Sequence, residues 1–500
     1  METLITNLAH GFGVALTFQN ITFALIGCLI GTAIGVLPGI GPVATISLLL
    51  PITFGQPATT AIIMLAGIYY GAQYGGSTTA ILLNLPGEVS SVVTTLEGYK
   101  MARNGRAGAA LATAAIASFF AGTCATILVA ASGPLLTSVA LSFGPADYFS
   151  LMLLGLIISA VLSQGSVLKG ITMVVLGVAL GLVGTDVQTG QQRFTFGIPE
   201  LSDGIGFAAV AMGMFGIAEI ILNLEKPEAR NVLSAKIGKL WLTREEFSRA
   251  VPSVLRGTVV GSVLGILPGG GAALSSFGSY MMERKVSRGR QMFGQGAIEG
   301  VAGPESANNA ASQTSFIPLL TLGIPANAVM ALMVGALIIQ GIQPGPRMVE
   351  AQPDLFWGLI ASMWIGNLML LVINLPMIGM WVKLLQVPYK YLYPAILVFC
   401  SIGVYSLNNN VFDVYTTIVF AVFGYMCSKL KMEPAPLLIG FVLGPMMEEH
   451  LRRAMLLSRG DPLVFVQRPI SATMLAIGAA ALLAMALPNL RKGKDAALAG

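Results

Sequence analysis

The sequence predicts an all-α integral membrane protein with about twelve membrane segments in two inverted repeats, carrying broken or re-entrant helical hairpins. Three observations lead there: charges are scarce, the uncharged stretches between them are long, and two proline-centred motifs occur twice in the same order. Of 500 residues, 55% are hydrophobic and 10% charged, whereas soluble domains carry about a quarter charged residues. So few charges cannot cover a surface that faces water on all sides.

Along the chain, no Asp, Glu, Lys or Arg lies between Glu2 and Glu88. Similar intervals run from Arg106 to Asp147, Arg256 to Glu283, Glu305 to Arg347, Asp354 to Lys383 and Arg468 to Arg491. Each exceeds the roughly 20 apolar residues that cross a bilayer as a helix. Asp147 to Lys169, Lys169 to Asp186 and Asp413 to Lys429 suit one span each. The runs are continuous and not alternating, which argues against a β-barrel. Cys28, Cys124, Cys400 and Cys427 form no CxxC pair, and His10 and His450 are the only histidines, so no disulfide framework or metal site is indicated. The N-terminal stretch lacks the basic region of a cleaved signal and is expected to stay in the protein. The net charge of +5 reads as positive loops, with no argument for nucleic acid.

Internal duplication organises the rest. GVLPGIGP, Gly35 to Pro42, recurs as GILPGGGA, Gly265 to Ala272, and LLNLPGE, Leu82 to Glu88, is answered by TLGIPAN, Thr321 to Asn327. The expected division is a first membrane repeat over 1–224, a basic cytoplasmic linker over 225–256, a second repeat over 257–490 and a cytoplasmic tail over 491–500. Lys226, Arg230, Lys236, Lys239, Arg244, Arg249 and Arg256 place the linker inside by the positive-inside rule. The loop near Gln56 is uncharged while its counterpart carries Arg284, Lys285, Arg288 and Arg290; the next loop has Lys100, Arg103 and Arg106 against a nearly neutral 341–346. Equivalent loops are thus expected on opposite sides, positive in one half where neutral in the other, which is the charge signature of inverted repeats. Arg452 and Arg453 then fall on the outside, against the rule.

Proline and glycine within apolar runs free backbone groups that lipid cannot satisfy, so they belong inside protein or beside a wet cavity. Four breaks are expected: Pro38 to Pro42, Gly75 to Pro86, Pro268 to Gly271 and Gly303 to Pro325. Beside them lie neutral donors and acceptors suited to a carboxylate: Ser77, Thr78, Thr79, Asn84, Asn308, Asn309, Ser312, Gln313 and Thr314. Some of these are expected to join helices instead. Gly39, Gly41, Gly269, Gly270 and Asn327 offer unwound backbone and an amide to a coupling cation, and Glu305 is a carboxylate in apolar surroundings. Glu305 either holds a coupling ion or caps a helix start; Glu88 raises the same question. No HExxH, GxSxG or Walker motif occurs, so enzyme and ATP-driven readings lack support.

GVLPGIGP, GGSTTAILLNLPGE, GILPGGGAALSSFGSY and GPESANNAASQTSFIPLLTLGIPANA closely resemble the large membrane subunit of the tripartite tricarboxylate transporter family, the TctA type, and the likeness covers nearly the whole chain. The resemblance implies a multi-pass subunit of the bacterial inner membrane. It also implies two partners, a small membrane subunit and a periplasmic solute-binding protein. Uptake would be of a small organic carboxylate (tricarboxylate, dicarboxylate or aromatic acid) driven by sodium or protons, with no other cofactor. A passive anion channel, or a scaffold subunit without its own site, is the alternative.

Overall fold

Apolar chain in a membrane must satisfy its backbone internally, and helices do so segment by segment. The computed structural model describes residues 2–37, 41–140, 142–163, 166–186, 188–225, 240–267, 271–384 and 392–486. It is helical nearly throughout, as the composition requires.

The chain begins with α1 (Glu2–Ala15), α2 (Phe18–Val36), α3 (Pro42–Thr53) and α4 (Ala58–Leu83). A short 3-10 turn (Val89–Ser91) leads to α5 (Val92–Met101), α6 (Ala107–Ala140), α7 (Pro145–Leu162) and α8 (Val167–Gly181). A small antiparallel hairpin, β1 (Gly184–Thr185) and β2 (Gln192–Arg193), pairs Gly184 with Arg193. Next, α9 (Phe207–Ala211) runs through π-helical turns into α10 (Ala218–Glu225). Most of the expected linker lies outside the described residues, as does the expected tail. The chain continues as α11 (Arg244–Ile266), α12 (Gly271–Val286), α13 (Glu299–Thr314), α14 (Phe316–Leu322), α15 (Ala328–Ile339) and α16 (Met348–Ala351). It ends with α17 (Pro353–Asn374), α18 (Ile378–Leu384), α19 (Leu392–Asn408), α20 (Val411–Lys429), α21 (Ala435–Leu457), α22 (Val464–Gln467) and α23 (Pro469–Ala486).

Six described stretches are long and apolar enough to cross a membrane: α2, Val89–Gly133, α7, Phe207–Glu225, α17 and α20. Shorter apolar helices include α3, α8 and α15. At the centre stand α4 and α13. Thr60 to Leu83 of α4 is continuously buried, and so is every residue of α13. α2 packs along α4, α11 along α13, and α6 touches both central helices.

Those helix pairs meet through glycines. A Cβ added at Gly27, Gly31 or Gly35 of α2 would come within 2.2, 2.3 or 2.4 Å of the carbonyl oxygens of Met64, Ile68 or Ala72. At Gly257, Gly261 and Gly265 of α11 the opposing backbone is that of Gly303, Ala307 and Ala311. Only hydrogen fits between backbones this close. Met64 and Gly303, Ile68 and Ala307, and Ala72 and Ala311 are each 239 residues apart. The same offset joins Asn84 (φ 60°, ψ 27°) to Gly323 (φ 74°, ψ 18°), each a left-handed C-cap, and Glu88 (φ −151°, ψ 170°) to Asn327 (φ −156°, ψ 178°), each an N-cap.

Two expected breaks are placed differently. α4 runs unbroken through Gly75 and ends at Asn84, because Gly75 serves the seam: its Cβ would lie 2.3 Å from the Thr32 carbonyl oxygen. α13 likewise continues through Gly303 and Pro304 to Thr314; after a turn at Ser315, α14 carries the chain to its left-handed end at Gly323. Pro304 is tolerated inside protein, where Ser276 donates to its carbonyl at 3.3 Å. The tips between α2 and α3 and between α11 and α12 lie outside the described residues. Arg452 and Arg453 of α21 carry no unmatched charge: Arg452 pairs with Asp186 and Glu448, and Arg453 with Glu449.

Candidate functional site

The crossing of α4, α5, α6 and α13 gathers buried polar groups. Glu305 lies in the second turn of α13 and is fully buried. From α4, the Ser77 hydroxyl donates to Glu305 Oε2 at 2.6 Å; from α5, Thr94 donates to Oε1. Asn308, one turn along α13, places Nδ2 3.4 Å from Oε2. Among the described residues no Arg, Lys or His forms an ion pair with Glu305. A buried carboxylate without a counter-charge is costly, and neutral donors offset only part of that cost. Such a group is suited to take up a proton or a small cation. The alternative role of capping a helix start near the interface does not fit its burial or its partners.

Asn309 reaches α6, donating to Ser118 at 2.7 Å and to the Glu305 carbonyl at 3.1 Å, with its Nδ2 also beside Asn308 Oδ1. Adjacent asparagines on one helix thus serve different neighbours. Beside this web, Ser90 donates to Gln73 of α4 at 2.8 Å and also reaches Glu88, which caps the 3-10 turn. Gln73 and Ser77 are one turn apart on α4, so Glu88 and Glu305 are approached from the same helix face.

The remaining sequence candidates divide. Thr78 is buried and lines a small crevice with Ser77, described below. Thr79 donates to the Val36 carbonyl at 2.6 Å, closing the end of α2. Ser312 and Thr314 bond carbonyls of their own helix, at Asn308 and Ala310. Gln313 is buried with its Oε1 unpaired among the described residues. Asn84 is exposed at its C-cap. Gly41 caps α3, its carbonyl accepting from the Thr45 amide and hydroxyl. Asn327 caps α15, accepting from the Met330 amide at 3.0 Å, with Nδ2 3.5 Å from the Tyr69 hydroxyl. Gly39, Gly269 and Gly270 lie outside the described residues.

Sequence reasoning missed Thr94, Ser118 and Glu97. Glu97 is fully buried and accepts from the amides of Gly294, Gly296 (2.8 Å) and Ala297 (2.9 Å) and from the Tyr280 hydroxyl (2.9 Å). α5 therefore ties Glu305 to the loop before α13.

Comparison with known proteins decides the family. The model of the tripartite tricarboxylate transporter TctA family matches residues 21–439. The chain belongs to that family. As a TctA-family member it is a membrane component of a tripartite tricarboxylate transporter, a family of transporter parts and not of enzymes. Among curated relatives, an uncharacterized 52.8 kDa protein in the TAR-I ttuC' 3' region of Agrobacterium vitis is 60% identical over 495 residues, 99% of each chain. Another protein of that organism, from the TAR-II ttuC' 3' region, is 62% identical over 235 residues, 47% of this chain and 97% of the relative. No solved structure matches.

Proposed function

We propose that this chain is the large transmembrane subunit of a binding-protein-dependent secondary transporter in the bacterial inner membrane, taking up a small organic carboxylate on a sodium or proton gradient. The observation that carries the reading is Glu305: a buried carboxylate that no Arg, Lys or His pairs with among the described residues, held by Ser77 and Thr94 from the first half of the chain while it stands in the second. A coupling ion bound there neutralises the charge at the contact between halves. The carboxylate substrate is assigned to the neutral amides and hydroxyls nearby, Thr78, Asn308, Asn309 and Gln313 among them, and to the N-terminus of α15 behind Asn327.

The shared offset of 239 residues, with matching seams and matching caps, supports reading the chain as two repeats; the loop charges support their inversion. A small membrane subunit and a periplasmic solute-binding protein complete the assembly. The test is uptake of labelled citrate, dicarboxylates and aromatic acids into proteoliposomes holding all three subunits, with sodium and pH gradients imposed separately. Accumulation against a gradient that needs one ion and the binding protein is expected. Flux that never exceeds equilibrium would identify a channel, and no flux despite assembly a scaffold.

A further inference from the structure

Between α4, α6, α17 and α18 lies a small crevice whose polar lining is Tyr74, Ser77, Thr78, Ser118 and Asn374. It has room for about a single water molecule. Two of its walls are shared with the Glu305 web: Ser77 donates to Glu305 at 2.6 Å, and Ser118 accepts from Asn309 at 2.7 Å. Tyr74 donates to Asn367 Oδ1 at 2.7 Å. Asn374 is only 5% exposed. Its Nδ2 donates to the Leu370 carbonyl at 2.9 Å, which leaves Oδ1 as the unpaired acceptor, without a partner among the described residues. A buried unpaired acceptor on a polar space of this size marks a water position.

We propose that this crevice loads Glu305 with protons: a water held by Asn374 Oδ1 protonates Ser77, whose hydroxyl passes its own proton to Glu305. The inference rests on the reading of Glu305 as the coupling carboxylate and narrows the coupling ion to a proton. In the step, a hydronium in the crevice forms a new O–H bond at Ser77 Oγ. The original Ser77 O–H bond breaks, and that proton bonds to Glu305 Oε2. The water is left neutral, the carboxylate becomes a carboxylic acid, and rotation of the hydroxyl resets Ser77.

A metal cation fits less well. Glu305 does not line the crevice, so an ion there would be separated from the carboxylate by Ser77, while the carboxylate oxygens are already taken by Ser77, Thr94 and Asn308. The titratable and charged groups around α13 are Tyr74 from α4, Glu88 and Glu97 at and beyond the 3-10 turn, Tyr280 and Glu283 of α12, and Arg249 and Arg256 of α11, paired to Glu299 and Glu283. α6 presents no acidic, basic or tyrosine side chain there among its described residues. Both arginines are thus matched by carboxylates other than Glu305.

The test uses the complete three-subunit transporter in vesicles loaded with a pH-sensitive dye, given citrate or succinate, whichever wild type takes up. Wild type is expected to acidify the lumen with uptake and to slow in deuterium oxide. Asn374→Leu should cut this proton-coupled uptake roughly a hundredfold yet keep exchange of external labelled for internal unlabelled substrate, which needs no net protonation. Ser77→Ala should lose acidification and Ser77→Thr regain it. Sodium-driven uptake without acidification would overturn the inference and leave the carrier reading standing, as would wild-type acidification by Asn374→Leu. Neither uptake nor exchange by the assembled wild type would overturn both.

Discussion

Replacing Glu97 with alanine tests whether one buried carboxylate holds the approach to α13. The carboxylate has four donors: the amides of Gly294, Gly296 and Ala297 and the Tyr280 hydroxyl. Gly294 is exposed and Gly296 half-buried, so in the variant their amides can turn to water. Ala297 and Tyr280 stay inside, with 0% and 8% exposure. Two buried donors left unpaired cost about 1–3 kcal/mol each, or about 2–6 kcal/mol together. Glu97→Gln keeps one acceptor oxygen and should lose roughly half as much. Thermal unfolding in detergent measures the loss, and amide exchange over 293–298 localises it. Because Thr94 on the same helix reaches Glu305, uptake should fall with it. Unfolding of Glu97→Ala within about 1 °C of wild type, with no faster exchange over 293–298, would refute the reasoning.

Gly261→Val should part α11 from α13, since its Cβ would lie 2.1 Å from the Ala307 carbonyl oxygen; a loss of about 1–3 kcal/mol or more is expected in melting experiments. Gly13→Ala, whose Cβ meets nothing within 4 Å, is the neutral control. Alanine at both Asn308 and Asn309 should abolish uptake without lowering membrane abundance; uptake at the wild-type rate would remove them from the site. Asp186 is pushed down to about 2 by the Gln188 amide first and by Arg452 beside it. Its contribution is thus fully present above the unfolded value of about 3.9 and is lost as pH falls through about 2. Amide exchange over 184–193 should stay slow at pH 4 in wild type and speed up in Asp186→Asn.

The helical class was legible because apolar runs between distant charges leave little alternative, and the paired motifs located the caps at Asn84 and Gly323 and at Glu88 and Asn327. Glu305 and Asn309 stood out as polar groups in apolar surroundings. Thr94 and Ser118 did not: one sits in a mixed stretch beside the 3-10 turn, the other in an alanine-rich run, and each gains its role from α13, 211 and 191 residues away. Glu97, among Lys100 and Arg103, looked like ordinary loop charge for the same reason. Gly75 misled because glycine in a helix signals either a break or a close approach, and only the neighbour decides. The spacing of four at Gly27, Gly31 and Gly35, and again at Gly257, Gly261 and Gly265, was a readable packing signal.

At the offset that superimposes the two seams, Glu305 corresponds to Ala66, and Asn308 and Asn309 to Tyr69 and Tyr70. The two matching seams carry unequal chemistry. The second half carries the carboxylate, and the first supplies Ser77 and Thr94 that make its burial tolerable. Expressed alone, the second half would keep Glu305 inside its core with the Ser77 and Thr94 donors missing. Co-expression of the two halves as separate chains should therefore restore a contact that neither makes by itself.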